Sequence, residues 1–118
     1  MLVPAFGVRR SGEVGVWAVL RLSGEVDLQV VPRVRAAVDE LIAAGRLHMV
    51  WDLHEVTFMD SAGVGVLAYT VRSVESRAGQ VRLAGAGAQV CRLLELTGMD
   101  TVVAMFPDVT AASQPTVG

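Results

Sequence analysis

Apolar and polar positions change period along this chain, and the changes mark its elements. Gly15-Val16-Trp17-Ala18-Val19-Leu20-Arg21-Leu22 is apolar and rich in β-branched residues, which predicts a strand ending at Ser23-Gly24. The shorter stretch Ala5 to Arg9 precedes the turn-forming cluster Ser11-Gly12-Glu13 and is expected to form the other arm of a hairpin. Val34, Val38, Leu41 and Ile42 then fall at i, i+4, i+7 and i+8, the buried stripe of a helix. Arg33, Arg35, Asp39 and Glu40 lie between them, and Gly45 stands where a helix C-terminal glycine belongs.

Leu47 to Leu53 is a second apolar run of strand length, followed by an expected loop from His54 to Met59. Val64, Leu67, Ala68, Val71 and Val74 set a second helical stripe that closes near Arg77 and Gly79, with basic residues at the end the macrodipole favours. Gln80 to Ala84 predicts a third core strand. Val90, Leu93 and Leu94 mark a third helix, reaching Leu96 and stopped by Thr97-Gly98. Thr101 to Phe106 predicts a last strand, and Pro107-Asp108 caps a short final helix. After the hairpin, strand and helix alternate, which implies parallel strands joined by right-handed crossovers. The expected fold is a single α/β domain over residues 1–112: a mainly parallel sheet with an antiparallel edge strand, flanked by helices. Residues 113–118 are expected to be a flexible C-terminal tail.

Composition narrows the function classes. At 118 residues and 53% apolar, the chain has one core and no room for a second. Ten basic residues, all arginine, against twelve acidic ones give a formal charge of −2, which steers the protein toward neither nucleic acid nor an anionic membrane. The longest uncharged apolar run, Ser61 to Val71, is too short to cross a bilayer. Met1-Leu2-Val3-Pro4 does not open a basic-then-apolar leader, and the single cysteine, Cys91, makes no internal disulfide. A cytoplasmic location is the expectation.

Most catalytic constellations are absent from the sequence. There is no Walker-type phosphate loop, no cysteine pair and no histidine pair at helical spacing, so no metal and no cofactor is expected. His48 sits in an apolar strand and reads as a core or edge histidine. Gly85-Ala86-Gly87 lacks the third glycine of a dinucleotide fingerprint, and Cys91 reads as a small packed residue on a helix. A hydrolase would need a glycine where Met59 stands, and a histidine converging on Ser61 with only His48 and His54 available.

One stretch stands out: Val56-Thr57-Phe58-Met59-Asp60-Ser61-Ala62-Gly63-Val64-Gly65-Val66-Leu67. It is a strand-to-helix connection in which Asp60 or Ser61 can cap the helix by accepting from unpaired backbone N–H groups. A cap needs one short polar side chain, and here two adjoin. Gly63 and Gly65 each cost about 1 kcal/mol of helix propensity relative to alanine, which points to close approach by another group.

Phe58-Met59-Asp60-Ser61-Ala62-Gly63-Val64-Gly65-Val66-Leu67 resembles the signature of STAS domains, specifically bacterial anti-sigma factor antagonists. Leu22-Ser23-Gly24-Glu25-Val26-Asp27 is similar to the family's L-x-G-E-hydrophobic-D element, and Leu93-Leu94-Glu95-Leu96-Thr97-Gly98-Met99 to its last helix end. The three elements stand in the family's order, and the likeness spans roughly Val8 to Ala112.

The resemblance implies a non-enzymatic, cytoplasmic partner-switching protein of the kind that serves stress response or sporulation signalling. Its unphosphorylated form would bind an anti-sigma factor serine kinase of the histidine-kinase-like ATPase fold and release the sigma factor. ATP-dependent phosphorylation of the serine after the motif aspartate, Ser61 here, would switch it off, and a PPM-type phosphatase would reset it. By the same matching, Asp60 would position the acceptor, Asp27 would line the docking surface, and Ala62, Gly63 and Val64 would complete it. The chain departs from many relatives in having Ala62 in place of a hydroxyl residue, which leaves Ser61 the only acceptor in the motif, and Val64 in place of leucine. The alternative is a non-phosphorylated STAS adaptor subunit of a signalling or transport assembly, in which Ser61 is only a helix cap.

Overall fold

Three of the predicted helices and the strands between them follow the apolar stripes closely. The computed structural model describes residues 6–115, with side chains from Gly15 onward. Its elements are β1 (Phe6–Val14), β2 (Trp17–Val26), α1 (Val31–Ala43), β3 (His48–Met59), α2 (Ser61–Glu75), β4 (Gln80–Ala84), α3 (Ala88–Thr97), β5 (Ala104–Phe106) and α4 (Val109–Ala112). The strands form one five-stranded sheet in the order β1-β2-β3-β4-β5; β1 runs antiparallel to β2, and every other pairing is parallel.

Alternation along the strands sorts side chains between two unequal faces. Leu20, Leu22, Met49, Trp51, Leu53 and Leu83 point to the face that α1, α2 and α3 cover, and there they pack against Val34, Val38, Leu67, Val71 and Leu94 in the main core. Trp17, Val19, Val50 and Ala84 point to the other face, covered at one side by the short α4 through Ala112. The flanking is therefore lopsided, with three helices on one face and a single turn on the other. The α1 end closes as predicted: Gly45 adopts φ +77°, its N–H bonds to Ile42 and the Arg46 N–H to Leu41, the paired bonds of a Schellman stop.

Five sequence expectations need correction. The hairpin reverses at Gly15-Val16, not at Ser11-Gly12-Glu13, because a two-residue loop needs positive φ at its first position and Gly15 supplies +61°. The Ser11–Gly12 segment instead falls at a register shift inside β1, and Ala5 lies outside the described residues. β2 does not stop at Ser23-Gly24 but bulges there, with Gly24 at φ +79°, and continues to Val26. The expected loop His54–Met59 is strand, because the lengthened β2 gives it a partner: Glu55 pairs with Ser23, Phe58 with Glu25 and Met59 with Val26. Thr101 to Val103 is not strand; Met99–Thr101 forms a 3-10 turn, and the carbonyl of Met99 accepts from both Val102 and Val103.

The fifth correction concerns the tail. Ser113 is buried and its hydroxyl donates to the Val109 carbonyl, while the Gln114 carbonyl accepts from the Arg82 guanidinium at 2.7 Å. Arg82 is itself buried, stacked 4.3 Å above the Trp17 ring and bonded to the Ala112 carbonyl at 3.0 Å. The chain is thus anchored through Gln114, two residues past the expected domain limit.

Candidate functional site

The parallel register of β2 and β3 brings the two motif loops together. Val26 pairs with Met59, so both strands leave the sheet at the same C-terminal edge, and the Asp60 N–H donates to the Val26 carbonyl at 3.1 Å. Asp27 and Asp60 therefore follow directly from paired residues, at the sheet edge where parallel α/β folds place their sites. Asp27 is half-buried and organises its own loop, its carboxylate accepting from the Gln29 N–H at 3.0 Å.

Asp60 is the helix cap. It is extended, at φ −110° and ψ −173°, and its Oδ1 accepts from the Ala62 N–H at 2.9 Å while its carbonyl accepts from Gly63. The cap role is thereby filled, and Ser61 begins α2 as an exposed residue. Among the described residues its hydroxyl has no hydrogen-bond partner. The two adjoining polar residues divide the work: one holds the helix, and the other is presented to solvent at its positive end.

The two glycines of the motif have different causes. A Cβ on Gly63 would sit 2.5 Å from the Cγ of Met59 and 3.1 Å from Cγ1 of Val26, so Gly63 lets α2 lie directly on the strand ends. Gly65 faces open space, with nothing within 4 Å of a Cβ. Gly63 and Val64 are buried, so of the five residues expected to meet a partner, these two support the surface from below. Asp27, Asp60 and Ala62 are half-buried on the accessible side.

Beside Ser61 a shallow groove of about 210 Å³ runs between the starts of α1 and α2, lined by Leu28, Val31, Ala62, Gly65 and Tyr69 among others. Leu28 is 73% exposed and Phe58, on the strand leading into the motif, 43%. Arg35 lies 4.0 Å over the Tyr69 ring, and the Tyr69 hydroxyl donates to Asp39 at 2.6 Å, which fixes the groove's far wall.

One residue of the site was missed by the sequence reading. Gln89, in the first turn of α3, accepts from the Met59 N–H at 2.9 Å and donates to the Met59 carbonyl at 2.7 Å. Nothing local to Gln89 announces this, because only the fold brings α3 to the end of β3.

The serine-hydrolase arrangement does not form. His54 donates through Nδ1 to the Asp52 carboxylate at 2.7 Å, and it stands five strand positions, about 16 Å, before Met59. His48 packs edge-on against Trp17 with ring centroids 5.4 Å apart. Asp52 is buried and also accepts from the His54 N–H at 3.2 Å and the Arg21 Nε at 3.3 Å. Burial alone would raise the Asp52 carboxyl, but the His54 hydrogen bonds and the charges of His54 and Arg21 outweigh it and hold it below the ordinary value. Cys91 is half-buried, with its Sγ 3.5 Å from the Ala86 carbonyl. Among the described residues no group of three or more His, Cys, Asp or Glu could hold a metal, and no helix is long and apolar enough to cross a membrane.

The chain is similar to known proteins in sequence and in fold. The sequence profile of the STAS domain matches residues 8–112. The anti-sigma F factor antagonist of Paenibacillus polymyxa is 30% identical over 89 residues, 75% of this chain and 76% of that one. The crystal structure of an anti-sigma factor antagonist from Mycobacterium paratuberculosis superposes with a TM-score of 0.83 at 25% identity, covering 95% of each chain. The Bacillus cell fate determinant SpoIIAA in its phosphorylated form superposes with a TM-score of 0.70 at 27% identity, over 92% of this chain and 96% of that one.

Proposed function

The chain belongs to the STAS domain family, and from that premise we propose that it is an anti-sigma factor antagonist switched by phosphorylation of Ser61. In its unphosphorylated form it binds an anti-sigma factor serine kinase through the surface around the start of α2, and the sigma factor is released. The kinase then phosphorylates Ser61 with ATP, and a PPM-type phosphatase removes the group. The protein is a regulatory binding module of the cytoplasm rather than a catalyst.

The observation that carries this reading is the division of labour at the start of α2. Asp60 caps the helix, so the Ser61 hydroxyl stands exposed and unengaged among the described residues. A structural cap would have its oxygen tied to a backbone N–H. Phosphorylation adds about −1.5 to −2 charge at the positive end of α2, so the helix tolerates it. The same charge joins the carboxylates of Asp60 and Asp27 on the surface a partner must cover. Desolvating that cluster at an interface costs several kcal/mol, about a thousandfold in affinity for each 4 kcal/mol. The switch is local electrostatics on an unchanged fold.

Intact-mass analysis after incubation with the cognate kinase and ATP tests it. One phosphate on the wild type and none on Ser61→Ala supports the reading. No phosphate on the wild type, with kinase binding intact, hands the role to the adaptor alternative.

A further inference from the structure

The last residue of β3 is gripped by a side chain where a strand would otherwise be. β4 pairs with β3 only from His48 to Asp52 and never reaches Met59. Gln89 takes that place: its Oε1 accepts from the Met59 N–H at 2.9 Å and its Nε2 donates to the Met59 carbonyl at 2.7 Å. One side-chain amide thus satisfies both backbone groups of a single residue, in the manner of a neighbouring strand. On the opposite side β2 holds the same segment through the Val26–Met59 pairing and the 3.1 Å bond from the Asp60 N–H to Val26. From the helix side the Met59 side chain fills the space that the missing Cβ of Gly63 leaves.

We propose that Gln89 is a positioning residue for phosphoryl transfer to Ser61, clasping the Met59 backbone so that the Asp60–Ser61 turn offers its hydroxyl in one orientation. The inference rests on the reading of Ser61 as phosphoacceptor and names a residue outside the motif on which that site depends. Ser61 is exposed, and no hydrogen bond among the described residues orients its hydroxyl. Its placement therefore comes from the backbone two residues upstream. In the transfer, the bond from the Ser61 Oγ to the γ-phosphorus of ATP forms as the bond from that phosphorus to its bridging oxygen breaks. ADP leaves, and the hydroxyl proton goes to a base on the kinase. A small displacement of the attacking oxygen in such a step lowers the rate steeply. Gln is suited to the clasp because it carries a donor and an acceptor side by side; methionine has the length without either, and an ionised glutamate only accepts.

The test uses the full chain with Gln89→Met and Gln89→Glu, reading amide exchange at Met59 and Ala62, and phosphorylation turnover and Kd with the cognate kinase. Gln89→Met should exchange these amides about tenfold faster or more, and its turnover should fall by a similar factor, because both bonds to the Met59 backbone are lost. Its Kd for the kinase should stay within about threefold, since the docking surface is intact. Gln89→Glu should lose turnover where its carboxyl is ionised and regain it as falling pH protonates the group and restores the donor. Arg92 and Glu95 line the same hollow as Gln89, and Asp60 directly follows Met59, so the variant-to-wild-type ratio is what is read. Unchanged exchange, unchanged turnover in Gln89→Met, or a pH-independent ratio for Gln89→Glu overturns the inference. A wild type that takes no phosphate instead overturns the phosphoacceptor reading and the transfer half of this one, while amide exchange still decides whether Gln89 is a clasp.

Discussion

A Cβ placed on Gly63 would lie 2.5 Å from the Cγ of Met59, closer than side-chain atoms pack. The glycine therefore sets how near the start of α2 comes to the ends of β2 and β3, and with it where Asp60 and Ser61 stand relative to Asp27. The motif's conformation is built from beneath as well as from its own capping bond.

Gly63→Ala and Gly65→Ala should consequently differ in sign. Both gain the same helix propensity of about 1 kcal/mol, but only the first drives a methyl into Met59 and Val26. Gly65→Ala should be the more stable variant by about 1–3 kcal/mol in urea unfolding, the size of a typical overpacking penalty. Equal stabilities would mean that Met59 moves aside freely.

Capping gives a second expectation. Asp60→Ala should lose about 0.5–2 kcal/mol, because its Oδ1 is the acceptor for the Ala62 N–H. Ser61→Ala should change stability by no more than about 0.5 kcal/mol, as exposed substitutions do. Thermal unfolding of the two variants side by side checks the division of roles between these neighbours.

The fold was legible where periodicity was strong. Val34, Val38 and Leu41 announced α1, and Gln80–Ala84 carried strand composition over its full length. Asp27, Asp60 and Ser61 were singled out by their motifs and the resemblance these carry, and the parallel pairing of β2 with β3 brings the two loops to one sheet edge. The second half of β3 was not. His54, Glu55 and Thr57 are polar because that segment overhangs β4 and stands in solvent, so its pairing to β2 left only Val56, Phe58 and Met59 as an apolar trace, too sparse to mark a strand. Gln89 was illegible for a different reason: its bonds to Met59 span 30 residues and depend on where α3 comes to rest.

Acid stability should report Asp52. Its carboxyl titrates below the ordinary 3.8 in the folded state, so the stabilisation is fully present above about pH 3.8. It is lost as pH falls through the lower folded value. Asp52→Asn should flatten the pH dependence of unfolding free energy below about pH 4, and at neutral pH lose about 1–3 kcal/mol from weakened bonds to His54 and Arg21. An unaltered acid slope would remove Asp52 from the account.

Truncation after Ala112 should be costly, in contrast to the removal of a loose tail. It deletes the Gln114 carbonyl that the buried Arg82 guanidinium bonds at 2.7 Å and the Ser113 hydroxyl bonded to Val109. A loss of about 1.5–3 kcal/mol is expected, the range for a hydrogen bond to a charged group. Calorimetric melting of the 1–112 chain against the full one measures it.

A charge on Ser61 should block docking without disturbing the fold. Titration calorimetry of the unmodified chain, the Ser61-phosphorylated chain, Ser61→Ala and Ser61→Asp against the cognate kinase tests it most directly. Unmodified chain and Ser61→Ala should bind alike, the phosphorylated chain about a hundredfold weaker or more, and Ser61→Asp between them because it carries less charge. Equal affinity for all four would contradict the account and leave Ser61 a structural residue.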